Sequence, residues 1–287
     1  MTATLAVALG GGGARGLAHI VLLEVLDELG VVPVRIAGCS MGALIGAAYA
    51  GGLSGREIRA HALRVLRSRR VLLARALEAR VGRFADIFRR GLVNPVLIDP
   101  EQFLPLFWPE GLPDTFAGCR LPLTVVATDF DGRCEISLED GPLMGAVAAS
   151  IAIPGLAQPV RRDGLRLIDG GTVNPLPYDR LFGQAERVIA CDVATGVVDE
   201  PRGGYQAVGV MLGAAQIMQG ALTARMLAWR APDLLIRPPV ERFKLLEFFH
   251  AARILEAADA TRDALKRDIE ALLAPNVTPR PAGRHGD

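Results

Sequence analysis

Residues 4–16, TLAVALGGGGARG, and residues 31–52, VVPVRIAGCSMGALIGAAYAGG, follow one plan: an apolar run of strand length, a glycine-bearing turn, then helical sequence. The first turn leads into LAHIVLLEVLDELG, where Leu17, Ile20, Val21, Glu24 and Val25 keep helical spacing and Gly30 supplies the stop. The second strand, expected over Val31–Ala37, meets GCSMG, and Ala43–Ala50 reads as a buried helix closed by Gly51 and Gly52. Strand, helix, strand, helix predicts parallel strands joined by helical crossovers. In such a sheet, catalytic and binding groups collect at the carboxyl ends of the strands, where both glycine turns sit.

Further strand-like runs recur at Leu123–Thr128, Glu135–Leu138, Leu165–Ile168, Val188–Val193 and Asp233–Ile236, after a proline-rich stretch over Asn94–Pro122. Phe248–Leu273 reads as a charged amphipathic helix, and PNVTPRPAGRHGD after it has the composition of a tail. No repeat and no interdomain linker interrupts the pattern. A single α/β domain is expected over residues 1–275, with a disordered tail over 276–287.

At 51% apolar and 22% charged, a chain of 287 residues has ample material for an extended core, which excludes disorder for its bulk. The 32 basic residues nearly match the 31 acidic ones, so no global field points to nucleic acid. Charge is uneven locally: eleven arginines fall between Arg56 and Arg90 against Glu57, Glu78 and Asp86. That stretch could make peripheral contact with anionic lipid, although a solvated face is the expectation.

The four cysteines, Cys39, Cys119, Cys134 and Cys191, lack the pairing of zinc or redox sites and suit a reducing cytoplasm. No basic segment precedes the first apolar run, so no secretory signal is expected. Three uncharged windows, Ile36–Gly55, Gly141–Val160 and Gly203–Ala224, are long enough to span a membrane. They are rich in Gly, Ala, Ser, Gln and Pro rather than Leu and Ile, which instead predicts helices packed against a sheet.

Only five serines occur, and with 32 glycines the chance expectation for G-x-S-x-G is about 0.06 matches. One occurs, at Gly38, Ser40 and Gly42, between a strand and a helix, as a nucleophile elbow requires. Two roles stand open for Ser40 here, attacking nucleophile or cap of the helix beginning near Met41. Cys39 beside it should point back toward the sheet as an inert core thiol.

Gly10–Gly16, GGGGARG, offers successive backbone N–H groups at a helix N-terminus, a ready site for an anion such as a tetrahedral oxyanion. Gly11, Gly13 and Gly16 also match G-x-G-x-x-G, which makes dinucleotide binding the competing reading. That fold wants an acidic residue at the end of the second strand, where this chain has Gly38, Cys39 and Ser40. A Walker loop is excluded, because no Lys followed by Ser or Thr succeeds the glycines.

A serine nucleophile needs a base, yet His19 lies on the first helix, His61 in the arginine-rich region, His250 within a helical run and His285 in the tail. None occupies a loop after a strand. Asp169 does end a strand, LRLI, before Gly170 and Gly171, although a turn aspartate before glycine is common for structural reasons. A carboxylate can serve only if apolar burial raises its pKa and the oxyanion is well held.

Taken together, GGGGARG, GCSMG and DGGTVNPLP resemble the patatin-like phospholipase family of serine acyl hydrolases, as do ATDF at Ala127–Phe130 and ASIAIPGLAQPV at Ala149–Val160. The resemblance spans roughly Leu5–Val193. It implies a three-layer α/β/α fold with a mostly parallel sheet, Ser40 as nucleophile, Asp169 as sole base, and an oxyanion hole at Gly11, Gly12 and Gly13 followed by Arg15. It implies an acyl-ester lipid as substrate and neither metal nor organic cofactor. Arg56–Pro122 and the chain after Val193 lie outside it, so head group and acyl length stay open. A catalytically idle lipid-binding protein of the same fold is the remaining alternative.

Overall fold

The structure is a computed structural model and describes residues 3–67, 98–194 and 207–274. Eight strands form one sheet: β1 (Leu5–Leu9), β2 (Arg35–Cys39), β3 (Leu123–Asp129), β4 (Cys134–Leu138), β5 (Val160–Arg162), β6 (Leu165–Asp169), β7 (Arg187–Cys191) and β8 (Leu234–Ile236). Their order is β5-β6-β3-β2-β1-β7-β8, with β4 also paired to β3. The pairs β1–β2, β2–β3, β1–β7 and β7–β8 are parallel, whereas β4, β5 and β6 run antiparallel to their neighbours.

The helices are α1 (His19–Glu28), α2 (Met41–Ala50), α3 (Gly55–Leu66), α4 (Pro100–Phe103), α5 (Leu143–Ser150), α6 (Ala207–Trp229), α7 (Ala251–Asp259) and α8 (Arg262–Leu273). Strand alternation sorts the two faces of the sheet. Leu5, Val7 and Leu9 enter the larger core with residues of α1, α2, α5 and α7. Ala6 and Ala8 join Ala37, Val188 and Ala190 in a smaller core against Leu176, Tyr178, Leu181 and the end of α6. Small side chains on that face let a layer of irregular chain lie close to the strands. The result is the expected α/β fold, with a mostly parallel central sheet between two layers.

Two boundaries depart from the sequence reading. β2 starts at Arg35 rather than Val31, because Val31 donates its N–H to Leu26 to close α1 and Pro33 has no N–H to give a ladder. The helix expected over Phe248–Leu273 breaks at Ala260 and Thr261, where Thr261 Oγ1 donates to the Ala258 carbonyl at 2.8 Å. The break lets Arg262 join Arg59 on Glu24 and Asp259, a network tying α1, α3, α7 and α8 together.

Among the described residues no helix is long and apolar enough to cross a membrane. Two uncharged windows are built into β2, α2 and α5, and the third falls largely on α6. Of the arginine-rich stretch, α3 carries Arg56, Arg59 and Arg64. Residues 68–97 and the tail expected over 276–287 lie outside the described residues.

One feature of the pairing positions the site. Val126 of β3 pairs with Cys39 of β2, and the next residue, Ala127, pairs with Asp169 of β6, while β4 pairs with both residues on the other edge. β2 and β6 therefore share one edge of β3, end to end and running toward each other. Their carboxyl ends meet.

Candidate active site

At that junction Ser40 follows β2 and takes φ 52° and ψ −120°, a conformation outside the regions that side-chain-bearing residues ordinarily occupy. The flanking glycines let α2 pack onto β2, which enters the turn, and onto the end of β1. A Cβ on Gly38 would lie 2.6 Å from Ala43 Cα, and one on Gly42 would run into the Leu9 carbonyl. The Ser40 carbonyl caps α2, but its side chain makes no capping bond. Instead Oγ donates to Asp169 Oδ2 at 2.7 Å. Of the two roles open for Ser40 in the sequence, side-chain capping is thus not the one the hydroxyl takes.

Asp169 ends β6 and is 5% exposed, beside a Ser40 that is 6% exposed. Its Oδ1 accepts the Gly171 N–H at 2.7 Å, and its main-chain carbonyl accepts Thr128 Oγ1 at 2.9 Å. Gly170 is held against the Val126 carbonyl with no room for a side chain. Burial pushes the Asp169 carboxyl up to about 6, against the opposing pull of the Ser40 and Gly171 hydrogen bonds. The shift leaves a carboxylate at neutral pH that is a far better base than an exposed one.

The glycine run after β1 lies alongside. The expectation that Gly11, Gly12 and Gly13 act alike as amide donors needs correction at Gly11, whose N–H donates to the Pro175 carbonyl at 2.9 Å. A Cβ at Gly11 would lie 3.4 Å from Ser40 Cβ, at ordinary contact distance. Gly12 and Gly13 are packed against Val193 and Leu245, and Gly13 has φ 56°. Arg15 is buried behind them, with its NH2 group donating to Gln216 of α6 at 3.1 Å. Met41 lies over Gly16 where a side chain would otherwise sit.

Ser40 also lines an apolar cavity of about 340 Å³, walled by Leu17, Leu44, Phe103, Phe107, Ile153 and Phe248 among others. Apart from Ser40, His61 is the polar side chain among the described lining residues, and its Nε2 lies 2.8 Å from the Phe107 carbonyl. His19 is fully buried, with Nε2 2.8 Å from the Gly10 carbonyl, and burial lowers its pKa to about 4, so the ring is neutral. His250 pairs with Glu247, and His285 lies outside the described residues. Cys39 is completely buried, as expected, and burial pushes its thiol well above the ordinary range. Among the described residues no group of three His, Cys, Asp or Glu could hold a metal ion.

Ser150 and Thr128 escaped the sequence reading as site residues. Both fall in stretches quoted for the resemblance, ATDF and ASIAIPGLAQPV, but their contacts depend on strand register that no local pattern encodes.

A family model described as patatin-like phospholipase matches residues 7–182. An uncharacterised NTE family protein of Mycobacterium bovis is 38% identical over 187 residues, which is 62% of this chain and 46% of that protein. Human patatin-like phospholipase domain-containing protein 6 is 33% identical over 196 residues, 67% of this chain and 13% of that protein. This chain thus spans less than half the length of either relative. VipD from Legionella pneumophila shares the fold with TM-score 0.51 at 15% identity, covering 93% of this chain and 67% of VipD. Human GIVD cytosolic phospholipase A2, solved with methyl gamma-linolenyl fluorophosphonate, does so with TM-score 0.50 at 13% identity, over 94% of this chain and 59% of that one. The motifs and the matched span of residues 7–182 agree, and the chain belongs to the patatin-like phospholipase family.

Proposed function

We propose that this chain hydrolyses fatty acyl esters of lipids, of phospholipid or lysophospholipid type, through an acyl-enzyme on Ser40 with Asp169 as base. The observation that carries the reading is the 2.7 Å hydrogen bond from Ser40 Oγ to a carboxylate raised toward neutral pKa, with Ser40 in the lining of an apolar cavity. As Oγ attacks the acyl carbon, Asp169 Oδ2 takes its proton, and the carbonyl oxygen becomes an oxyanion held by the amides of Gly12 and Gly13. The N-terminus of α2, which begins at Met41, adds positive potential at the same point. Collapse breaks the ester C–O bond, and the leaving alcohol receives the proton from Asp169. Water then attacks the acyl-enzyme with Asp169 again as base, which frees the fatty acid and restores Ser40.

Imidazole has no part in this scheme. His19 and His61 are each within hydrogen-bond distance of a main-chain carbonyl, and neither has a bond to Ser40. The competing dinucleotide reading loses support, because Gly11 and Ala14 already direct their amides to Pro175 and Leu245.

The cavity supports a long apolar substituent, since each methylene withdrawn from water contributes about 0.8 kcal/mol, or about fourfold in binding. The decisive experiment is labelling with an alkyl fluorophosphonate, peptide mapping, and turnover of esters graded in acyl length. The adduct is expected on Ser40, with kcat/KM rising with chain length until the cavity is filled. A folded chain left unlabelled would point to an idle lipid-binding protein, and a label elsewhere would displace Ser40.

A further inference from the structure

Residues 150–152 touch both members of the catalytic pair. Ser150 ends α5 and is fully buried. Its Oγ accepts the Ser40 N–H at 2.8 Å and donates to the Val126 carbonyl at 2.6 Å. Two residues on, the Ala152 carbonyl accepts the Asp169 N–H at 3.0 Å. Val126 is the last residue of β3 paired to β2, and Ala127 is the first paired to β6. One short segment therefore pins the two facing strand ends across the point where they meet.

Ser40 requires an external hold, because its φ of 52° with ψ of −120° is sustained only where surrounding contacts enforce it. Without an acceptor, its N–H would also be buried and unpaired, a second incentive for the turn to relax. The contact asks for a small group that accepts and donates at once, which a hydroxyl does and a methyl does not.

We infer that Ser150 is a positioning residue for ester hydrolysis: its hydroxyl ties the strained Ser40 backbone to β3 and so aims Oγ at both Asp169 and the acyl carbon. This rests on the reading of Ser40 and Asp169 given above.

The test uses Ser150→Ala and Ser150→Cys, with Ile189→Val in β7 as a core control away from the site. Melting temperature, fluorophosphonate labelling rate, kcat, KM and the pH profile are measured on each. Folded Ser150→Ala should label Ser40 at least about tenfold more slowly and lose at least about tenfold in kcat, with KM within about twofold, because misplacement of a reacting atom reduces rate more than binding. The acid limb of its profile should move to higher pH, as a loosened Ser40 bond no longer lowers the Asp169 pKa. Ser150→Cys, close in volume but weaker in hydrogen bonding, should fall between and decides the matter if Ser150→Ala does not fold. A folded Ser150→Ala with kcat within about threefold of wild type, or, where that variant does not fold, a Ser150→Cys no more impaired than the control, overturns the inference while leaving the dyad standing. Wild-type protein that leaves Ser40 unlabelled brings down the hydrolase reading and this one with it.

Discussion

The loops after β1 and β2 both place glycines at the carboxyl end of a parallel strand, and helical residues follow each. In the second, Gly38 and Gly42 are small because α2 presses on β2 and β1: their missing side chains would strike Ala43 and the Leu9 carbonyl. What that turn presents is a side chain, the Ser40 hydroxyl. In the first, Gly12 and Gly13 are small because Val193 and Leu245 lie over them. What it presents is bare backbone. Glycine thus permits close packing in both turns, whereas the proposed roles differ, a hydroxyl in one and main-chain amides in the other, and substitutions should separate the two.

The largest effect belongs to the groups at the elbow itself. Ser40→Ala and Asp169→Asn should each lower kcat/KM for a short-chain ester by at least about 10³-fold, with the fold retained. Asp169→Asn should in addition be stabilising above pH 6. A buried carboxyl whose pKa is raised to about 6 contributes its stability below the ordinary value of 3.8 and loses it as pH rises through 6, when the charge must be borne without water. A melting temperature at pH 8 that falls on this substitution would contradict the burial cost assigned to Asp169.

Next come the glycines. Gly12→Ala should reduce kcat by about 10² to 10³, the effect of displacing an oxyanion donor, a loss larger than its fall in melting temperature accounts for. Its Cβ would lie 2.7 Å from Val193 Cγ2 and 2.9 Å from the Val193 carbonyl oxygen, so the chain after β7 must shift to admit it. Gly42→Ala should do the reverse and act mainly on folding, because its Cβ meets main chain of β1 that cannot move without the sheet. Thermal unfolding and kinetics on both variants give a two-by-two comparison, and equal loss of activity per degree of destabilisation would erase the distinction between the turns.

A smaller and continuous effect comes from pH. Only ionised Asp169 can accept the serine proton, so kcat/KM should drop about tenfold per unit below an apparent pKa of about 6 and be flat above it. A limb that vanished in Asp169→Asn residual activity would tie it to that carboxyl. One that followed a histidine variant instead would restore imidazole to the mechanism.

How much of this the sequence disclosed depends on how local the determinants were. β1, α1, β2 and α2 were legible because each is written in a contiguous run with its own stop, and Ser40 because G-x-S-x-G is rare in a chain with five serines. Asp169 was legible as the polar end of a strand, and the resemblance gave it a role. The inward meeting of β2 and β6 was not legible, since it arises from two partners sharing one edge of β3. For the same reason Ser150, 110 residues from Ser40, gave no local signal, and the loss of Gly11 as a donor required knowing where Pro175 lies.

The smallest expected effect tests the elbow against its own neighbour. Cys39 and Ser40 are consecutive, and sulfur is intrinsically the better nucleophile, so position alone must account for the choice between them. Cys39 is completely buried, its Sγ 3.5 Å from where a Gly11 Cβ would be, and the nearby charges of Asp169 and Glu135 add to burial in suppressing its thiolate. Iodoacetamide at pH 8 should therefore alkylate the exposed Cys134 and leave ester turnover within about twofold of the untreated protein. Loss of activity in step with an adduct mapped to Cys39 would mean that the elbow opens far enough to expose its inward face. Ser40 would then owe its reactivity to something other than a fixed turn.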